Sequence, residues 1–260
     1  MKEEQWFVTS LDRGLSVIRA FGPGARSLKL SQVATSANIS RAAARRFLKT
    51  LEALGYVGMQ DDRYYLRAKV MELGYSYLST MEFQDLAGPY LTDLARLSEG
   101  SSCVGIMDNQ EIVFVARAVT EQRIRLVGSI GMRFPAYAVS LGRAILAHLS
   151  EEELSRYIAK VKFDRLTDFT ISNEAQLRAV LESERERGWY GCKDETKVGV
   201  TAIAVPIFDA RGKVKAAVNL NVSPRIADPA EVADKYLSVL QDTAKQLTNA
   251  LVMDLIPVSV

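Results

Sequence analysis

Ser40-Arg41-Ala42-Ala43-Ala44-Arg45-Arg46-Phe47-Leu48-Lys49-Thr50-Leu51-Glu52-Ala53-Leu54-Gly55-Tyr56-Val57 is the stretch on which the fold of this chain turns. Ser40 is a hydroxyl residue placed to cap the free N–H groups of a first helical turn. Ala44, Phe47, Leu48, Leu51 and Leu54 recur at the spacing of one helix face, while Arg41, Ala42, Arg45, Arg46 and Lys49 fall on the other. Gly55 supplies the left-handed residue that ends such a helix. The spacing predicts a helix over Arg41–Leu54 with one core face and one cationic face.

Outward from it, Asn38-Ile39-Ser40 turns the chain, and a short helix runs from Ser31, as its cap, to about Ala37. Before that, Leu11, Leu15, Ile18 and Phe21 predict a first helix between Ser10 and Phe21, stopped by Gly22-Pro23-Gly24. After the cationic helix, Tyr56–Met59 and Arg63–Leu66 read as two strands joined across Gln60-Asp61-Asp62. Two helices across a tight turn followed by a hairpin make a winged helix-turn-helix, whose second helix enters the major groove of double-stranded DNA. Ser40, Arg41, Ala42, Ala43, Arg45, Arg46 and Lys49 then face the duplex, joined by Arg13, Ser31 and, for phosphate or minor groove, Arg63. The plain alternative is a solvated cationic face.

Charge agrees with a basic module on an acidic body. Residues 1–78 hold 12 Lys and Arg against 7 Asp and Glu, the remainder 21 against 24, for a net +2. Hydrophobic residues at 48% exclude wholesale disorder. Met1–Trp6 carries acids and no apolar signal core, no run of about 18 apolar residues occurs, and Cys103 and Cys192 lack a Cys or His neighbour for a metal. The expectation is a cytoplasmic protein with no membrane span, metal or cofactor; no phosphate-binding loop or dinucleotide fingerprint is present.

Val70, Leu73, Tyr77 and Met81 predict a connector helix, its stripe paired either with a second subunit or with its own domain. Three parts follow: residues 1–68, a linker helix over 69–82, and a domain over 83–260. In the last, helices are expected at Gln84–Leu97, Val139–Leu149, Glu151–Ile158 and from Asn173 to Arg187, with a final helix opening at Asp228-Pro229. Strands are expected at Cys103–Met107, Ile112–Ala116, Arg123–Ser129, Ala202–Phe208 and Val214–Val222. The class is α+β. Asn219 and Asn221 share a strand face opposite Val218, Leu220 and Val222, so they are either solvent-facing residues, which the pattern favours, or amides lining a cavity. Gly131-Met132-Arg133-Phe134-Pro135-Ala136-Tyr137 combines a cation, aromatics and a helix start, suited to a carboxylate with an aromatic or acyl body. Ala138-Val139-Ser140-Leu141-Gly142 misses a hydrolase elbow by its first glycine, and His148 would share the Ser140 helix, so a small-ester hydrolase is a remote alternative.

Ser10–Leu15, the Arg41–Leu48 helix with Leu54-Gly55-Tyr56-Val57, the Gly131–Arg143 segment and Ala202–Ile207 together resemble the IclR family of bacterial regulators over nearly the whole chain. Arg41–Arg46 and Arg133–Tyr137 are most similar to the branch governing protocatechuate, 4-hydroxybenzoate and β-ketoadipate catabolism. The resemblance implies a GAF-like or profilin-like effector domain joined by a linker helix to the winged helix-turn-helix, a small aromatic or dicarboxylic acid as effector, and a homodimer or tetramer on an inverted-repeat operator. It places Arg133, Phe134, Pro135, Ala136, Tyr137, Ser140 and Leu141 on one wall of the pocket, and Cys192, Ala202, Asn219 and Asn221 on the other. Arg133 is the expected charge partner. A ligand-independent DNA-binding protein is the remaining alternative.

Overall fold

Val17, Phe21, Leu28, Val33, Leu48, Leu51, Val57 and Tyr64 close on one another as the core of the first of two units, Met1–Thr80 and Met81–Val260, in a computed structural model that describes residues 6–22, 24–78, 83–120, 129–209, 211–222 and 228–251. Helix α1 (Thr9–Arg19) buries a different face from the one its leucines suggest. Leu11 and Leu15 are 62% and 42% exposed, whereas Val17 is fully buried. The helix meets its neighbour through Gly14, where a Cβ would lie 3.8 Å from the Phe47 ring; Gly14, Val17, Ile18 and Phe21 form the contacting stripe.

The residue that caps helix α2 (Leu30–Ser36) is Lys29, two residues ahead of the expected Ser31. Lys29 donates its N–H to Gln32 Oε1 at 2.9 Å, which leaves Ser31 inside the first turn. Asn38, at φ 51°, reverses the chain into α3 (Arg41–Ala53), where Ser40 Oγ accepts the Ala43 N–H at 3.2 Å. Gly55 takes φ 83° and the Tyr56 N–H returns to the Leu51 carbonyl at 2.9 Å, the six-to-one bond of a Schellman end. Strands β2 (Val57–Gln60) and β3 (Arg63–Leu66) are joined by Asp61 and Asp62, both at positive φ, the geometry that matches strand twist in a two-residue hairpin. A two-residue strand β1 (Ser27–Leu28), too short to show a period, pairs with β3. After a 3-10 turn at Ala68–Val70, α4 (Met71–Leu78) is the described part of the expected connector.

The second unit is built on a six-stranded sheet of β4 (Ser101–Asp108), β5 (Glu111–Val119), β6 (Arg133–Pro135), β7 (Tyr190–Lys193), β8 (Thr201–Phe208) and β9 (Val214–Val222), in the order β6-β5-β4-β9-β8-β7 and antiparallel throughout. Helices α5 (Phe83–Leu97) and α9 (Pro229–Leu251) pack on one face, giving a core of Leu91, Leu94, Val104, Val218, Leu220 and Leu240 among others. Helix α6 (Ser140–Leu146) covers the other, backed by α7 (Glu151–Lys160) and α8 (Glu174–Arg187). Both faces of this antiparallel sheet are therefore covered, where one wet face is the common arrangement.

The structure departs from the sequence expectations at two points. Arg133–Pro135 is a strand, and the helix begins only at Ser140 after a 3-10 turn at Ala136–Ala138. Strand β7, with Gly191 interrupting its pattern, was not foreseen. The expected strand Arg123–Ser129 lies, apart from Ser129, outside the described residues. Among those residues no helix is long and apolar enough to cross a membrane.

Candidate functional site

The α2–α3 pair exposes a cationic surface. Arg41, Ala42, Arg45, Arg46 and Lys49 are exposed on α3 and Ala43 is half-buried, while Ala44, Leu48 and Leu51 hold the helix to its core. Arg41, Arg45 and Arg46 have no ion-pair partner among the described residues, so their charges are free for an anionic ligand; Lys49 is paired with Glu52 at 2.7 Å. Arg13 is exposed on α1, and Ser31 is half-buried. Arg63 differs from expectation. Its Nε donates to Ser27 Oγ at 2.9 Å and its Nη2 to the Ser27 carbonyl at 2.6 Å, so it ties β3 to β1 before any contact outside the unit.

In the second unit, strand register assembles the other candidate site. Cys103 on β4 pairs with Arg117 on β5 and with Asn219 on β9; two residues along, Ser101 pairs with Asn221, Asn221 with Ala202, and Ala202 with Cys192 on β7. Residues two apart on a strand share a face, and Cys103 belongs to the core beneath α6, so both rows lie on the α6 side. Asn219 and Asn221 are only 4% and 7% exposed, which overturns the solvent-facing reading: alternation here separates two covered faces, one apolar and one polar. Asn219 Oδ1 accepts the Cys103 N–H at 3.0 Å, its Nδ2 reaches Asn221 Oδ1 at 3.5 Å, and Asn221 Nδ2 reaches Ser101 Oγ at 3.3 Å. Burial pushes the Cys103 thiol up to about 12 against the pull of the Arg117 charge. It pushes Cys192 up to about 11 against Arg143 and the Ser140 N–H.

Ser140 heads α6 at this face, 1% exposed, and its Oγ has no hydrogen-bond partner among the described residues. Leu141 follows it beneath Gly105, whose absent side chain admits the helix: a Cβ there would stand 3.0 Å from Leu141 Cδ1. Ser140, Leu141, Cys192, Ala202, Asn219 and Asn221 are thus brought to one side of the sheet. Arg133, Phe134 and Pro135 sit on the edge strand β6 instead. Arg133 is half-exposed and donates to Asp108 Oδ2 and Glu111 Oε2, each at 2.6 Å, so the expected charge partner already carries two carboxylates. Phe134 packs against Phe114 at 5.3 Å between centroids. Ala136 and Tyr137 are fully buried, with the Tyr137 hydroxyl donating to the Asp164 carbonyl at 2.8 Å. Two open clefts, about 690 Å³ by α7 and α8 and about 420 Å³ beside β8 and α9, lie away from the Asn219 row.

Sequence reasoning missed Arg143. It is 3% exposed and donates to the Tyr137 carbonyl at 3.1 Å, the Gly191 carbonyl at 2.7 Å, Glu184 Oε1 at 3.4 Å and both Glu195 oxygens. A lone arginine in the otherwise small and apolar Ser140–Leu146 was the available signal. The network fastens α6 to α8 and β7. No serine–histidine dyad forms, since His148 Nε2 bonds the Tyr190 hydroxyl at 2.8 Å.

Known proteins share both parts. Residues 10–61 match the IclR helix-turn-helix domain, and residues 75–249 the bacterial transcriptional regulator IclR C-terminal domain. The chain is 34% identical to the Pca regulon regulatory protein of Pseudomonas putida, over 94% of this chain and 84% of that one. It is 33% identical to the p-hydroxybenzoate hydroxylase transcriptional activator of Acinetobacter baylyi, over 94% and 92%. A solved complex of a PobR transcription factor inducer-binding domain from Acinetobacter, a double mutant holding 3-hydroxybenzoic acid, superposes with a TM-score of 0.58 at 31% identity, covering 64% of this chain and 98% of that one.

Proposed function

This chain belongs to the IclR family of bacterial transcriptional regulators, a family of regulators and not of enzymes, and from that premise we propose that it controls an aromatic-compound catabolic pathway in response to a small aromatic or dicarboxylic acid bound beneath α6. The observation that carries the effector half is the buried polar strip of Ser101, Asn221 and Asn219 under the unpartnered Ser140 hydroxyl. Buried polar groups are ordinarily satisfied, and a ligand with hydrogen-bonding ends would complete this set. The strip is closed over, so binding an acid there requires its cover to shift, and a ligand moves that equilibrium by its differential affinity for the two states.

On the DNA side, Arg41, Arg45 and Arg46 supply base and phosphate contacts and the Ser40 amide a phosphate contact. The exposed apolar residues Leu11, Leu15, Met71 and Leu73 support pairing of two copies, as a homodimer or within a tetramer. Two recognition helices would then meet half-sites about 34 Å apart in an inverted repeat. The test is fluorescence anisotropy on an operator selected from a random duplex pool, with 4-hydroxybenzoate, protocatechuate and β-ketoadipate titrated in. One acid should change operator affinity by about fivefold or more, and operator should change acid affinity by the same factor. Operator binding indifferent to all such acids would leave the DNA reading and remove the effector one.

A further inference from the structure

Resting on the effector reading above, we propose that Arg117, in place of Arg133, receives the effector's carboxylate, and that the effector carries a second polar group at its far end. Register fixes the position: Arg117 stands opposite Cys103, on the row that continues into Asn219. Its guanidinium lies close enough to the Cys103 sulfur to draw that thiol back toward ionisation. Arg117 Nε is buried without a hydrogen-bond partner, and Arg117 has no ion pair, among the described residues. Arg117 as a whole is half-buried, and the one guanidinium N–H that is shut away from solvent without an acceptor carries a desolvation cost that an arriving carboxylate would offset. Arg133 meets the opposite circumstances, since an incoming carboxylate would have to displace Asp108 and Glu111 against their like charge.

The second orphan, Ser140 Oγ, marks the other end of the strip, with the Ser140 N–H on Cys192 of β7. Four strand spacings of about 4.8 Å separate β5 from β7, roughly 19 Å between backbones before the side chains lean in. Asn219 and Asn221 lie between. A strip polar at both ends and along its floor suits a flat acid bearing a distal hydroxyl, such as a hydroxybenzoate, over a two- or three-carbon oxo acid whose polar atoms cannot reach both ends.

Titration calorimetry on the full chain separates this inference from the reading beneath it, using 4-hydroxybenzoate, its uncharged analogue 4-hydroxybenzamide, and pyruvate. The wild type should bind the acid over the amide and bind pyruvate least. Arg117→Gln should lose about tenfold or more in acid affinity, the worth of a charge-assisted bond, and leave the amide unchanged, a selectivity that a loss of structure does not produce. Arg117→Lys keeps the charge and should retain a preference for acid; it serves where the glutamine variant fails to fold. Arg133→Gln should bind as the wild type does. Undiminished acid preference in Arg117→Gln, or its loss in Arg133→Gln instead, overturns the assignment and leaves the effector reading standing. Wild-type protein that binds neither benzoate nor benzamide removes both.

Discussion

Replacing Arg143 by Met removes the buried cation that bridges Glu184 and Glu195, leaving Glu184, among the described residues, only the half-exposed Arg187 at 3.8 Å and the Gly191 N–H at 3.0 Å. Arg143, Glu184 and Glu195 are 3%, 2% and 9% exposed, so no water takes up the abandoned charge. Breaking a buried pair from one side costs about 3–5 kcal/mol. The Tyr137 and Gly191 carbonyls lose a donor besides. For a unit of this size each kcal/mol moves the melting temperature by about 2–4 °C, which puts the loss at about 6–20 °C by calorimetry. The loss should also depend on pH. Burial already raises Glu184 and Glu195 above their ordinary 4.5, with Arg143 opposing, and its removal raises them further. A carboxyl with a raised folded-state pKa gives stability that is complete below 4.5 and is lost as pH climbs through the folded value. The Arg143→Met deficit should therefore be largest near pH 8 and shrink toward pH 5. Adding Glu184→Gln and Glu195→Gln to it should recover much of the loss at pH 8, since replacing a whole buried network costs far less than breaking one. A deficit under about 1 kcal/mol at pH 8, or one equal at pH 5 and pH 8, would refute a charged, dry network.

Further outcomes are expected elsewhere in the chain. Arg45→Ala should lower operator affinity by about 1–3 kcal/mol and relax specificity at one base pair if Arg45 reads a base, and lower affinity equally on every duplex if it holds phosphate, as anisotropy across sequences would distinguish. Ser40→Ala should cost about 1 kcal/mol in urea unfolding by freeing the Ala43 N–H. Gly142→Ala would set a Cβ 2.0 Å from the Ala136 carbonyl oxygen and should cost about 3 kcal/mol or more, whereas Gly88→Ala in α5, with nothing within 4 Å, should be neutral or stabilising; equal effects in a thermal melt would contradict the close seating of α6.

What the sequence disclosed, and where it stopped, follows from the range of the forces involved. The winged helix-turn-helix was legible because its signals are local: Ser40 caps and Gly55 ends one helix, and Asp61-Asp62 turns one hairpin, each within a few residues of what it controls. Even there the burial of α1 was misread, because two exposed leucines outweighed a glycine whose use is to let Phe47 approach. The second unit's site depends on pairings more than 100 residues apart, such as Ser101 with Asn221, and periodicity carries no record of them. Alternation in β9 says that Asn219 and Asn221 face away from Val218 and Leu220; whether that direction is water or protein depends on α6, which lies some 75 residues earlier in the chain. Strand pairing also tells the two arginines apart. Arg133 drew attention because its neighbours in sequence are aromatic and precede a helix, yet register carries it to the edge strand beside Asp108 and Glu111. Arg117, in an apolar strand with no motif around it, is carried to the polar row. A charge partner for a ligand is chosen by which cations the fold leaves unanswered, and that is a property of the pairing of strands and not of any one stretch of chain.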